Sequence, residues 1–187
     1  MATLAEWKPR RAEVAIPFDP VEERRYKSPK RGERSIYAAY AWPRRLRVGK
    51  NKGGCFPEVV ARAYFEAQGY HVLVSEPEYP DGLGYLLLHY RQKRLAQHDA
   101  FKRMQKHFPR VDLNALAEEA RNLKRRHSGS GGGGDPDLFV FKPGTRHRFF
   151  VEVKYRDKLH CNQHVSFPLI ERSLCDVVLA RLTPVVR

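Results

Sequence analysis

The sequence predicts an α/β fold, a mixed central sheet held between helices, carrying a helical insertion and a basic N-terminal arm. Three observations carry this. An apolar stripe at helical spacing over about 56–68 leads into a strand pattern at 70–74; two apolar runs flank a turn between Leu138 and Lys154; and a helical stretch over 162–173 precedes a final apolar run at 177–182. A chain of 187 residues suffices for one domain with appendages. The boundaries read as an arm over 1–52 and a domain over 53–187, with the helical insertion at about 83–127 and a Gly-rich loop at 128–134.

The arm combines scattered prolines, little apolar periodicity and many cations, among them Arg44, Arg45, Arg47, Lys50 and Lys52. Such a segment is poorly structured alone and suited to a phosphate backbone. Tyr26, Tyr37, Tyr40 and Trp42 are interleaved with the cations; they suit either base stacking or docking of the arm on the core.

In the first helix Pro57 fits the first turn, Gly69 the C-terminal cap, and Phe56, Val60, Ala63, Tyr64 and Ala67 form an apolar stripe. The insertion reads as helical from 83 to 108 and from 112 to 126, interrupted by Pro109 and restarted at Asp112 as an N-cap. Lys124, Arg125 and Arg126 end the second stretch, either as a solvated face that complements the helix dipole or as phosphate contacts. The Ser/Gly run before Asp135 reads as a flexible loop, natural or engineered. Pro168 is expected to kink or delay the last helix.

The net charge of +14 points to a polyanionic partner, nucleic acid above all. Charge alone does not separate DNA from RNA. No apolar run is long enough for a membrane span and the N-terminus lacks a secretory core, so an intracellular protein with no membrane partner is expected. Cys55, Cys161 and Cys175 form an odd set without paired spacing, which supports neither a disulfide framework nor a zinc knuckle. His160, Cys161 and His164 cluster without a second ligand pair and read as loop and helix-start residues.

The candidate site lies in the hairpin. Asp137 opens the strand 138–141, and Glu152 and Lys154, two apart and therefore on one face, close the strand 148–154. Two carboxylates are hard oxygen ligands for Mg²⁺ or Mn²⁺. A lysine beside them can orient or help deprotonate a water, or steady charge on a phosphate. Glu6-Trp7-Lys8 and Pro80-Asp81 repeat the letters elsewhere, but neither sits in an alternating apolar hairpin. Asp135, two residues upstream on the same strand face, is the fallback ligand. Glu58 lies in a first helical turn, where the helix dipole alone can account for it.

Taken together, the Gly-rich turn into Asp135-Pro136-Asp137-Leu138-Phe139, then Phe150-Val151-Glu152-Val153-Lys154, then Asp157, Leu159 and Gln163 resemble the PD-(D/E)XK nuclease superfamily. Within it the chain is most similar to the virus-type replication and repair nuclease domain, VRR-NUC. The resemblance covers about 131–163 and extends weakly to 56–75 and 164–184. It implies a restriction-endonuclease-like core in which Glu58, Asp137 and Glu152 hold Mg²⁺ or Mn²⁺, Val153 lends its carbonyl, Lys154 positions the water and Gln163 supports the site. The insertion and the basic arm depart from a minimal domain of this kind. The expected activity is a metal-dependent endodeoxyribonuclease selective for DNA structure in replication, repair or recombination, with Arg156 and the arm's cations contacting nucleic acid. The alternatives are a non-catalytic nucleic-acid-binding module of the same fold and an RNA-directed or host-directed nuclease. The sequence is compatible with a homodimer.

Overall fold

The computed structural model describes residues 7–40, 56–74, 105–128 and 134–185. In chain order the elements are β1 (Val14–Phe18), α1 (Pro20–Lys27), a 3-10 turn (Ile36–Tyr40), α2 (Phe56–Ala67), β2 (His71–Val74), α3 (Leu113–Ser128), β3 (Leu138–Phe141), β4 (Arg148–Lys154), α4 (Cys161–Ser173) and β5 (Val177–Pro184). The strands form one mixed sheet in the order β1-β5-β4-β3-β2. β2, β3 and β4 run as an antiparallel meander, while β5 returns parallel to β4 through α4, and β1 adds parallel to β5.

β4 is central, and every residue from Phe149 to Lys154 is buried, so both of its faces are covered. Alternation sorts those residues. Phe149, Val151 and Val153 join Leu138, Val140 and the β5 and β1 residues Val178, Ala180, Leu182, Ile16 and Phe18 beneath α2. Phe150 joins Phe139 on the other face, beneath α3 and α4, with Leu113, Leu116, Phe167 and Ile170. The hairpin between β3 and β4 turns at Pro143-Gly144, where Gly144 has φ +72°, as a type II turn requires of its third residue. Gly69, at φ +79°, ends α2 in the left-handed conformation expected of a glycine cap.

The expectation of a poorly structured arm over 1–52 is corrected for its described part. Val14, Ile16 and Phe18 alternate onto the face of the sheet that α2 covers, Ile16 and Phe18 are buried, and β1 pairs along its whole length with β5. Asp19 then caps α1 by accepting from the Val21 amide at 2.8 Å. The buried Glu22 carboxylate accepts from Arg25 and from the Ile36 amide, which ties the 3-10 turn to α1. Burial opposes its ionisation, but those donors outweigh it and hold the carboxyl below its usual range. Tyr26 and Tyr37 pack on Phe56, with Tyr40 against the same core, so of the two roles open to these aromatics the docking role is the one observed. Arg44, Arg45, Arg47, Lys50, Lys52 and Trp42 lie outside the described residues, as do 83–104 of the expected insertion and most of the Gly-rich loop.

α3 begins as expected, with Asp112 accepting from the Asn114 and Ala115 amides. α4 begins at Cys161 and runs without delay through Pro168, which lies on its exposed side, where solvent can meet the carbonyl that proline leaves unpaired. Before β1, Trp7 is buried edge-on against Phe167 at 4.9 Å and donates its indole N–H to Glu171 at 3.0 Å, strapping the chain across α4. Among the described residues no helix is long and apolar enough to cross a membrane.

Candidate active site

Asp137 immediately precedes β3. The β3–β4 register pairs Leu138 with Val151, and one further step of that register sets Asp137 opposite Glu152. Both side chains therefore project toward the α4 face of the sheet, the face on which Phe139 and Phe150 pack. Asp137 Oδ2 accepts from the Val153 amide at 2.8 Å, which fixes the half-buried carboxyl against β4. For Val153 the contact observed is thus through its N–H.

Glu152 is 2% and Lys154 3% exposed. Two charged side chains this deep need partners. Glu152 Oε1 accepts from Lys154 Nζ at 2.8 Å and from Gln163 Nε2 at 2.6 Å. Gln163 is in turn oriented by α4: its Oε1 accepts from the His160 amide at 2.8 Å in the first turn. Glu152 Oε2, equally buried, has no hydrogen-bond partner. Lys154 Nζ reaches on to Asp157 Oδ2 at 2.9 Å. Asp157 belongs to the motif that follows β4, and its contact with Lys154 depends on the burial of that lysine, which the sequence does not show.

The electrostatics follow from this arrangement. Burial, reinforced by the Asp137 charge, pushes Glu152 well above the usual carboxylate range. Burial likewise raises Asp137 to about 6, although the Val153 amide and Lys154 pull it down. Burial works against a charged Lys154, yet Glu152 and Asp157 outweigh it and raise its pKa. Those contacts favour the charged form of Lys154, which suits orienting a nucleophile or steadying negative charge.

Glu58 is half-buried in the first turn of α2, the helix that covers the opposite face of the sheet. Its neighbour Phe56 touches Phe18, and Phe18 touches Tyr155, the residue after Lys154, so the start of α2 lies at the same end of the sheet as the acid pair. Among the described residues no three His, Cys, Asp or Glu side chains converge as a ready-made metal site. The structure thus brings together Asp137, Glu152, Lys154 and Gln163, with Asp157 added, while Glu58 comes from the helix that covers the other face. Asp135 lies toward α3, where its charge supports Lys124. Lys124 corrects the sequence reading of an exposed or phosphate-contacting cation: it is fully buried, and burial lowers its pKa to about 8. Arg125 and Arg126 are exposed.

His160, Cys161 and His164 take the helix-start places expected of them. His160 contributes its backbone to the first turn of α4, Cys161 is exposed, and His164 Nδ1 accepts from the Trp7 amide at 3.1 Å.

Two carboxylates that resist simultaneous ionisation, one with a buried oxygen lacking any donor, fit a hard divalent cation of the Mg²⁺ or Mn²⁺ type. Scans of the chain against protein-family models and against curated proteins match nothing.

Proposed function

We propose that this chain is a metal-dependent nuclease that hydrolyses phosphodiester bonds in DNA, with a restriction-endonuclease-like core of the PD-(D/E)XK, VRR-NUC-like kind. The observation that carries the reading is the buried pair Asp137 and Glu152, with Glu152 Oε2 unpartnered and Lys154 Nζ 2.8 Å from Glu152 Oε1. The order helix, three antiparallel strands, helix, parallel strand, with the acids and lysine on the central hairpin, supports the same assignment. So does the charge of +14 around an acidic centre.

Asp137 and Glu152 would hold Mg²⁺ or Mn²⁺, which supplies the positive charge that in-line attack on a phosphodiester requires. Gln163 keeps Glu152 in one orientation, and the Val153 amide does the same for Asp137. Lys154 spends two of its three N–H groups on Glu152 and Asp157, and the third is available to the nucleophile or a phosphate oxygen. The preferred substrate is DNA of defined structure.

The test is cleavage of labelled duplex, single-stranded, flap and four-way-junction DNA, and of RNA, with and without Mg²⁺ or Mn²⁺. Lys154→Ala and Asp137→Ala should each abolish cleavage while binding persists, because each removes a contact to the reacting centre and leaves the basic surface in place. Binding without metal-dependent cleavage of any substrate would leave a non-catalytic nucleic-acid-binding module of this fold. Cleavage confined to RNA would move the substrate assignment.

A further inference from the structure

Immediately after Lys154 the chain places an arginine on a tyrosine. The Arg156 guanidinium lies 4.7 Å from the centre of the Tyr155 ring, and its Nη2 donates to the Tyr155 hydroxyl at 3.0 Å. Tyr155 is itself braced: Phe18 meets it edge-on at 5.2 Å, and its hydroxyl reaches Glu23 at 3.3 Å. The ring is partly buried and the guanidinium exposed. Arg156 makes no ion pair with a carboxylate among the described residues, whereas Arg10, Arg11, Arg25 and Arg181 each do. A guanidinium held over a braced aromatic ring, with no carboxylate partner among the described residues, stays open to solvent. Guanidinium planes of this kind stack on nucleobases, and because every base has a π-face the contact favours unpaired nucleotides over a closed duplex.

We infer that Arg156, held over Tyr155, is a base-stacking platform for one unpaired nucleotide at the end of the sheet that carries Lys154, so that the substrate is single-stranded or carries a single-stranded segment there. Its relation to the reacting phosphate rests on the nuclease reading. The platform itself does not require cleavage to be detected.

The experiment measures equilibrium binding of the full chain, in EDTA, to a fluorescent single strand of about 12 nucleotides and to a closed hairpin duplex of the same charge. 2-Aminopurine placed along the single strand reports stacking. Arg156→Ala should weaken single-strand binding about tenfold and duplex binding by no more than about threefold. Arg156→Lys, which keeps the charge and loses the plane, should follow the alanine variant on the single strand and wild type on the duplex. The 2-aminopurine signal of stacking should be lost in both. Because Arg156 is exposed, both variants should keep the wild-type melting temperature. If Arg156→Lys matches wild type on both ligands, the residue is a simple charge contact and the platform is overturned. Failure of Arg156→Ala to affect binding, or of wild type to bind single strands, overturns it equally. A platform signature without metal-dependent cleavage would retain the platform and remove the nuclease reading; cleavage without the signature would do the reverse.

Discussion

Gln163 Nε2 lies 2.6 Å from Glu152 Oε1, a buried hydrogen bond that ties the first turn of α4 to the central strand. The bond gives the carboxylate a fixed orientation, and the same glutamine closes the start of its own helix through the His160 amide. Replacing Gln163 with Ala should therefore cost about 1–3 kcal/mol of stability, the range for leaving a buried polar group short of a partner. Cleavage should fall as well, with substrate binding little changed. Chemical denaturation and single-turnover kinetics check the two parts.

The raised pKa values of Asp137 and Glu152 fix the sign of a pH effect. An acid whose folded pKa exceeds its unfolded value makes the folded state the better proton binder, so its contribution to stability falls as pH rises from the unfolded pKa, near 4, through the folded one. Asp137→Asn keeps an acceptor for the Val153 amide and removes one charge. In EDTA the variant should melt higher than wild type at pH 7, and the gap should shrink toward pH 5. Mg²⁺ should raise the wild-type melting temperature at pH 7 more than at pH 5 and should affect the variant least. An identical Mg²⁺ response in both proteins would remove Asp137 from the metal site.

Glu58 admits two roles with different outcomes. As a ligand, Glu58→Gln should reduce activity most at limiting Mg²⁺ and be partly rescued at high metal, since an amide binds a hard cation less well than a carboxylate. As a helix-dipole residue it should cost at most about 1 kcal/mol with unchanged metal dependence. A metal titration of activity beside a melting curve separates them.

Phe56 is fully buried and meets Phe18, Tyr26 and Tyr37, three aromatics contributed by the N-terminal segment. Phe56→Ala should destabilise by about 3–5 kcal/mol through the cavity it leaves. Amide exchange should rise in β1 and α1 as well as in α2, because the lost ring is what those elements share. Exchange confined to α2 would show that the N-terminal segment docks without it.

The sequence by itself determined the local elements and the pairing of chemistry with position. Helical spacing and caps marked α2 and the start of α3, two short apolar runs flanking a turn marked β3 and β4, and a two-residue step put Glu152 and Lys154 on one face. Other features were local in principle but masked by composition: the short alternation of Val14, Ile16 and Phe18 stood among so many cations and prolines that its membership of the sheet became evident only from the pairing of β1 with β5. What only the tertiary structure decided was which groups share a low-dielectric space. Lys124 looked like a solvated helix end until packing between α3 and the rest of the fold enclosed it. Lys154 met its two carboxylate partners, Glu152 and Asp157, only in the folded chain, and Glu58 came to the same end of the sheet on α2, the helix that covers the other face. The physical reason is that periodicity is written in neighbouring residues, whereas burial, and the charge state that follows from it, depends on segments far apart in the chain meeting in space.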